Sequence, residues 1–247
     1  MNLKDLDFKL PKELIALYPK KPRHDSNLVI VNSRNKIVKF REIIHELNSG
    51  DAIILNDTRV IYADFDGFIE NQVISINLNK VEDKKKNIWS VFLKTKKKLK
   101  EGDNIKIFNI FNAQVISIKR ETIYVRFNLT YEKFKKEIKK YGRVPLPPYI
   151  KKRGHKKSDL KNYQTVFAKN EGAVAAPTAS LHFTKELIDQ LKNKKIKIIK
   201  VTLHVNGGTF LPIRVDDVAK HSMHYEEGII SKKSAYEINK VKDYGGK

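Results

Sequence analysis

A run of short apolar stretches occupies the middle of the chain, between residues 67 and 128. Hydrophobic residues cluster there at 73–78, 88–93, 105–110, 113–118 and 122–127, and lysine, asparagine, glycine and aspartate separate the clusters. Strands at this density, with no helical segment between them, are typical of a small barrel or sandwich. The pattern therefore predicts a β-rich unit in the middle of the chain.

The two ends of the chain mix helix and strand. Apolar runs at 28–31 and 52–55 have the length of strands, and a helix-like stretch at 42–47 lies between them. Helical spacing returns at 131–141, where the apolar residues share one face and Gly142 is a plausible terminator.

The last third of the chain continues this alternation. Thr184 can cap a helix that runs to residue 194, a strand is predicted at 196–205, and 234–242 has the spacing of a further helix. The segment 143–149 contains three prolines, so we predict an extended linker between two modules there.

These patterns together predict a mixed α/β protein. Its larger α/β domain comprises residues 1–66 and 145–247, and a small β-barrel domain at 67–144 is inserted between the two halves.

The charge of the chain favours a polyanionic partner. Among 247 residues, 50 are Lys or Arg and 28 are Asp or Glu, which gives a formal net charge of +22. Lys and Arg side chains that neutralise phosphates release counterions, so nucleic acid is the first candidate. Lysine far outnumbers arginine, however, and the codon bias of an AT-rich genome accounts for the same composition.

The absence of cysteine and of long apolar stretches indicates the cellular compartment of the protein. The chain has no cysteine, which excludes disulfides, a thiolate nucleophile and thiolate metal ligands. No apolar stretch approaches the length of a membrane span, and the first residues lack the apolar core of a signal peptide. We therefore expect a cytoplasmic protein.

The segment 172–184 has the composition of a small-molecule pocket. Small residues crowd a few polar and aromatic ones, so the backbone can approach a flat ligand while polar groups orient it. The residues of interest are Ala176, Pro177, Thr178, His182 and Phe183.

Polar residues follow an apolar run at Asn56, Asp57, Thr58 and Arg59. At the end of a strand they would face a cleft, and Asp57 and Arg59 offer opposite charges for a zwitterionic ligand. An ordinary turn accounts for the same residues.

Two further clusters contain histidines. His204 precedes the paired glycines Gly207 and Gly208 and then Thr209, in a pattern that matches neither the dinucleotide fingerprint nor the P-loop; a turn is the simpler interpretation.

His221, His224 and Glu226 lie within six positions. A zinc site there would need a further ligand such as His204 or His182, so acid–base chemistry is the favoured interpretation and a metallohydrolase the less favoured one.

Taken in order, these segments resemble the S-adenosylmethionine:tRNA ribosyltransferase-isomerase family of queuosine biosynthesis. The motifs that carry the resemblance lie at 7–23, 50–61, 142–150, 163–165, 172–184, 203–210 and 221–226. They are collinear with the family pattern and span nearly the whole chain.

The resemblance implies an enzyme of tRNA modification. Such an enzyme transfers and isomerises the ribosyl part of S-adenosylmethionine onto 7-aminomethyl-7-deazaguanine at the wobble position of a tRNA with a GUN anticodon. Epoxyqueuosine-tRNA is formed, and adenine and methionine leave. The resemblance implies no metal and no cofactor beyond S-adenosylmethionine, which is a substrate, and it implies an α/β domain with an inserted barrel. We expect a monomer, although the sequence leaves the oligomeric state open.

The reaction requires a base beside the sulfonium and an acid for adenine. Candidates for these catalytic roles are Asp57, His182, His204, His224 and Glu226.

Substrate contacts are expected from a second set of residues. Arg59 or Arg143 would hold the methionine carboxylate or a phosphate, and Tyr163 and Phe183 would stack on a base. The full set is Asn56, Thr58, Arg59, Arg143, Tyr163, Gln164, Ala176, Pro177, Thr178, Phe183, Gly208, Thr209 and His221.

The chain departs from the family pattern at several positions. Asp64 stands where the family has arginine, Ser180 replaces a glycine, and Asn206 with Gly207 replaces a glycine and a small residue. Family members also continue beyond the equivalent of Gly246. We therefore expect a shortened member that acts alone or with a separately encoded C-terminal piece. The alternative is a catalytically inactive remnant that binds RNA through its lysines.

Overall fold

The computed structural model describes residues 2–31, 33–119, 122–213, 215–221 and 223–247. The strands are β1 Asn27–Ile30, β2 Lys36–Lys39, β3 Ala52–Asn56, β4 Thr58–Val60, β5 Asp64–Ile69, β6 Gln72–Asp83, β7 Ile88–Lys94, β8 Asn104–Ile107, β9 Phe111–Lys119, β10 Thr122–Phe127, β11 Asn170–Ala173, β12 Lys197–His204 and β13 Glu227–Ile229.

The α-helices are α1 Tyr131–Tyr141, α2 Pro148–Lys151, α3 Asp159–Asn162, α4 Lys185–Asn193 and α5 Lys232–Asp243. Shorter 3-10 helices are Leu3–Leu6, Lys12–Leu14, Arg23–Asp25, Phe40–Glu46, Thr178–His182, Gly207–Phe210 and Val218–Lys220.

The middle of the chain forms a closed antiparallel barrel in the order β10-β7-β6-β5-β8-β9. Its interior follows the two-residue period of a strand, so that Ile74, Ile76 and Leu78 of β6 are all fully buried. Helix α1 closes the core, because Phe134 stacks on Phe127 with ring centroids 4.1 Å apart. The predicted barrel is confirmed.

Parallel pairing assembles the rest of the molecule from distant segments. β12 runs parallel to β3, and β11 runs parallel to β4, while β13 is antiparallel to β12. Thr184 caps α4 by accepting from the Leu187 N–H, as predicted, and Leu187 and Leu191 pack in one buried cluster with Leu55 of β3 and Phe167. The α/β class is confirmed.

Several boundaries differ from the predictions. The barrel begins at Asp64 and not at residue 67. The prediction missed this start because Asp64 and Asp66 interrupt the apolar pattern of strand β5. β8 ends at Ile107, since Phe108 and Asn109 take positive φ angles of 52° and 56° and turn the chain.

Three smaller differences concern local structure. The helix predicted at 42–47 is the 3-10 helix Phe40–Glu46, and the linker predicted to be extended through residue 149 turns into α2 at Pro148. Ser180 lies in a 3-10 helix and is not among the positive-φ residues, so serine is unstrained there.

The barrel strands and α1 lie between Asp64 and Tyr141. The domain limits given above, 67–144 for the insert with 1–66 and 145–247 around it, stay a prediction. In the described part of the chain, every helix is too short or too polar to cross a bilayer.

Candidate active site

A cavity of about 340 Å³ opens between the barrel with α1 on one side and strands β4, β11 and β12 on the other. We call it the barrel cavity. Its lining includes Arg59, Lys80, Lys84, Trp89, Tyr131, Lys135, Lys139, Gln164, Glu171, Gly172, His204 and Glu227. Ligands of α/β sheets bind outside the carboxyl ends of parallel strands, and β12 ends at this cavity with His204.

His204, the last residue of β12, is held by Thr58 at the wall of the cavity. The imidazole Nδ1 lies 2.7 Å from the Thr58 Oγ1, and the same hydroxyl lies 3.4 Å from the Asn170 carbonyl oxygen. When the Thr58 hydroxyl donates to the Asn170 carbonyl, which can only accept, the 2.7 Å contact requires the His204 Nδ1–H to donate to Thr58. In that tautomer Nε2 of His204 is unprotonated and available to a ligand.

Gly172 makes room for the histidine ring. A methyl group at this position would lie 2.6 Å from Cε1 and 2.7 Å from Nδ1 of His204. Any side chain at residue 172 would therefore push the imidazole away from Thr58.

The surroundings of His204 favour its neutral form. Burial lowers the pKa of His204, and the nearby ammonium of Lys84 lowers the pKa further, while the carboxylate of Glu227 opposes both. Glu227 lies directly opposite His204 in the β12–β13 pair. A neutral imidazole at pH 7 is a competent proton acceptor.

Two more predicted residues, Arg59 and Gln164, also line the barrel cavity. The Gln164 amide is fixed to β4, because it accepts from the Val60 N–H at 3.1 Å and donates to the Val60 carbonyl at 2.8 Å. Arg59 donates through Nη2 to the Ala168 carbonyl, which anchors an otherwise exposed guanidinium on the rim.

Asp57 and Asn56 lie behind the cavity wall and hold the strands together. Asp57 is buried, and its Oδ1 accepts from the Thr202 hydroxyl at 2.6 Å and from the Asn170 amide at 3.0 Å. Asn56 bonds to the backbone of Leu203 in both directions. These contacts fix the β3–β12 register, and neither residue is part of the cavity lining.

A second cavity of about 560 Å³, the proline cavity, contains five further predicted residues: Tyr163, Ala176, Pro177, Thr178 and Thr209. It lies on the other side of the segment that follows β11, where the N–H groups of Val174 and Ala175 both donate to the Val205 carbonyl. Burial raises the pKa of Tyr163 to about 12, so its hydroxyl stays protonated.

His182 and Phe183 lie apart from both cavities. His182 lines a third cavity of about 230 Å³ that it shares with Thr178 and Tyr163, and burial lowers its pKa, with Arg23 adding to the effect. The prediction that Phe183 stacks on a substrate base is wrong. Its ring is buried in the core, 4.9 Å edge-on from that of Phe40, because the chain turns inward before the Thr184 cap.

The Arg143 guanidinium is also occupied by contacts within the protein. It donates to Asp66 at 2.8 Å and to Asp64 at 3.1 Å, and these hydrogen bonds raise its pKa. Asp64 is fully buried and also contacts Lys151 and His155. The acidic residue that departs from the family pattern therefore anchors several cations around the start of β5.

The side chains of His221, His224 and Glu226 make separate contacts and do not form one site. The ring of His224 lies over Gly208, where a methyl group would come within 2.5 Å of its Cδ2. Glu226 accepts from the Asn206 N–H at 3.2 Å, and His221 ends a 3-10 helix. In the described segments, His, Asp and Glu side chains form no group of three or more that could hold a metal ion.

The structure thus gathers Arg59, Gln164 and His204 at one cavity, with Thr58 behind the histidine. Sequence reasoning missed the barrel side of this cavity. Trp89 and Tyr131 lie in segments whose spacing predicts only a strand and a helix, and a run of lysines such as that of α1 is commonly a solvated helix face.

The chain was also compared with known proteins. Residues 3–247 match the family model described as "Queuosine biosynthesis protein". The S-adenosylmethionine:tRNA ribosyltransferase-isomerase of Sulfurihydrogenibium sp. (strain YO3AOP1) is 41% identical over 246 residues, which cover 98% of this chain and 72% of that relative. The protein of the same name from Ruegeria pomeroyi is 40% identical over 257 residues and covers 100% of this chain and 73% of the relative. A crystal structure of S-adenosylmethionine tRNA ribosyltransferase from Thermotoga maritima aligns at a TM-score of 0.40 and 24% identity, over 97% of this chain and 66% of that one.

Proposed function

We propose a function from one premise: the chain belongs to the queuosine biosynthesis protein family, that of the S-adenosylmethionine:tRNA ribosyltransferase-isomerases. The enzyme transfers and isomerises the ribosyl part of S-adenosylmethionine onto 7-aminomethyl-7-deazaguanine in a tRNA with a GUN anticodon. Epoxyqueuosine-tRNA, adenine and methionine are the products. S-adenosylmethionine serves as ribosyl donor, and the proposed reaction calls for no further cofactor.

One observation supports this chemistry above the others: His204 is held against Thr58 at the wall of the barrel cavity. The positive sulfur of S-adenosylmethionine acidifies the hydrogens of the adjoining ribosyl carbon, and a base must take one of them. With Nδ1 bound to Thr58, the remaining nitrogen, Nε2, is the proton acceptor. Once protonated, the imidazole can supply a proton to the departing adenine.

The cavity also suits the donor in size and charge. Its volume of about 340 Å³ lies at the lower end of the range for small-molecule sites, roughly 300–1,000 Å³. Arg59 on the rim can bind the methionine carboxylate as a planar fork, and its Ala168 contact fixes the direction of approach. Gly172 lets the imidazole lie directly against the backbone at the wall of the cavity.

Adenine release tests the proposal directly. The chain is incubated with S-adenosylmethionine and tRNA that carries the aminomethyl precursor, and free adenine is followed over time. His204→Gln should lower the rate roughly 10²- to 10⁴-fold, the usual contribution of a general base. His45→Gln is the matched control, because the His45 side chain is 72% exposed and lies in the 3-10 helix Phe40–Glu46. Full activity in His204→Gln would refute the assignment.

The inactive RNA-binding remnant remains the alternative. Isothermal titration with S-adenosylmethionine separates the two functions, since only an enzyme requires a saturable small-molecule site. Heat of binding in the wild-type chain, weakened by Arg59→Ala, supports the enzyme. A flat titration together with tight binding of tRNA supports the remnant.

A further inference from the structure

The rim of the barrel cavity concentrates lysines from two elements. Lys80 lies on β6 and Lys84 in the turn that follows it, while Lys135 and Lys139 lie one helical turn apart on α1. We call these four residues, with Tyr131, the lysine rim.

Two of the four lysines have no carboxylate of their own. Lys135 is paired with Glu171 at 2.9 Å and Lys80 with Glu227 at 3.5 Å. Within the described part of the chain, Lys84 and Lys139 make no ion pair, and both are exposed. Uncompensated ammonium groups beside a cavity attract anionic ligands.

An aromatic pair stands among these lysines. Tyr131 is stacked on Trp89, with ring centroids 6.1 Å apart and planes 13° from parallel. The ammonium groups of Lys84 and Lys135 lie 5.8 and 5.7 Å from the Tyr131 centroid. The Trp89 indole is buried and fixed by its hydrogen bond to Asn87 at 2.9 Å, so it supports the half-buried Tyr131 ring as a rigid platform. Aromatic rings interleaved with cations are the usual surface for single-stranded nucleic acid.

We propose that the lysine rim is the surface on which the anticodon loop of the tRNA docks. Phosphates of the loop lie on Lys84 and Lys139, and the base to be modified leaves the stack, passes Tyr131 and enters the barrel cavity. An enzyme that performs chemistry on a base takes it out of the stack, so the backbone contacts must surround the entrance of the site. This inference rests on the proposed function for the identity of the RNA.

The chain supplies a matched control on the same barrel. Lys119 lies 5.6 Å from the ring centroid of Tyr124 on β9 and β10, which repeats the pairing of lysine and tyrosine away from the cavity. Lys106 of β8 is exposed in the same way. Replacing this pair of lysines changes the net charge as much as replacing Lys84 and Lys139 does.

The test compares Lys84→Gln/Lys139→Gln with Lys106→Gln/Lys119→Gln in the full chain. Affinity for precursor-bearing tRNA is measured by fluorescence anisotropy over a series of salt concentrations. The rim variant should bind roughly tenfold more weakly at 0.1 M salt, with a log–log salt slope smaller by about 1.4, from about 0.7 for each phosphate on a single strand. The control variant should keep both the wild-type affinity and the wild-type slope. Equal losses in the two variants would overturn the docking surface.

Tyr131 provides an independent test of the platform. Tyr131→Leu should weaken tRNA binding roughly tenfold, because one base loses the aromatic ring on which it stacks. Tyr131→Phe keeps the ring and should bind tRNA like the wild type. A Tyr131→Leu variant that binds tRNA like the wild type contradicts the proposal, provided that its thermal unfolding shows an intact barrel.

Titration with S-adenosylmethionine alone keeps the two proposals apart. If the wild-type chain binds the donor and the rim variant loses no tRNA affinity, the docking surface fails and the proposed function stands. If the wild type binds no donor but the rim variant loses tRNA affinity, the proposed function fails and the surface stands.

Discussion

The barrel with α1 and the α/β part of the molecule are held together by different interactions. The barrel has a large apolar core with fully buried Phe65, Ile74 and Phe134. The α/β part has two smaller apolar clusters. Polar contacts between its strands, above all those of Asp57, add to them, and large apolar side chains such as Val31 are left exposed, at 79%.

This difference means that the barrel supplies most of the stability, while the α/β part positions the residues that carry the chemistry. Apolar packing in the barrel resists the loss of single contacts on its surface, whereas the hydrogen bonds behind His204 set the position of one ring. The barrel cavity lies where the two regions meet, so a rigid barrel wall faces a wall that polar contacts position. Substitutions in the two regions should therefore change different measurements.

The largest effect is expected from Phe134→Ala in the barrel core. Phe134 contacts Phe127, Phe111 and Trp89, and removing its ring leaves a cavity at the centre of the aromatic cluster. The free energy of unfolding in urea should fall by about 3–5 kcal/mol. Phe68→Ala on β5 is the control, since Phe68 is 38% exposed, and it should cost less than about 1 kcal/mol. Similar losses in both variants would show that the barrel core is not the main source of stability.

A smaller loss is expected from Asp57→Ala in the α/β part. The change leaves the Thr202 hydroxyl without its acceptor and removes one of the two acceptors of the Asn170 amide, which should cost about 2–3 kcal/mol of unfolding free energy. Asp189→Ala, on the exposed face of α4, should cost less than about 0.5 kcal/mol. A stable Asp57→Ala chain that releases no adenine would instead support the catalytic role predicted from the sequence.

Asp57 shows why the sequence predicts this fold better than it predicts this site. The barrel strands and α1 follow from periods of two and 3.6 residues, which are local properties of the chain. The partner of Asp57 is Thr202, 145 positions away, and no local pattern reveals that their hydrogen bond occupies the carboxylate.

The same reason explains the other site residues. His204 and Arg59 were found because they follow apolar runs at strand ends, where parallel strands present polar side chains. Phe183 and Arg143 were assigned to substrate because their motifs resemble the family, but their contacts to Phe40 and Asp64 depend on tertiary packing. Lys84 and Lys139 are far apart in the sequence, and only the folded barrel with α1 shows that both lie on the rim of one cavity.

A double-mutant cycle on Gly172 and His204 tests the position of the ring. Gly172→Ala should lower the unfolding free energy by about 1–3 kcal/mol, because the methyl group meets the imidazole at 2.6 Å. In a His204→Ala background the same change should cost at least about 1 kcal/mol less. Adenine release by Gly172→Ala should fall roughly 10²-fold, as expected for a base displaced by about 1 Å. A cost that is equal in both backgrounds would show that the methyl group strains the backbone and not the ring.

The smallest expected effect is the pH dependence that His204 contributes. Burial lowers its pKa below the ordinary value of 6.5, so the neutral, proton-accepting form persists to a lower pH than in a free histidine. The midpoint of the decline in adenine release should therefore lie below pH 6.5.

The unfolding free energy should also depend on the protonation of His204, over the pH range between its lowered pKa and 6.5. Between the lowered folded pKa and 6.5 the unfolded chain binds more protons than the folded chain, so the unfolding free energy rises with pH and levels off above 6.5. His204→Gln should reduce this slope, and His155 and His182, whose pKa values burial also lowers, should retain the remainder. His45→Gln should leave the curve unchanged. If the midpoint of the activity decline lay above pH 6.5, the group that titrates would not be this buried imidazole, and the α/β wall would not position the base as the hydrogen bond to Thr58 indicates.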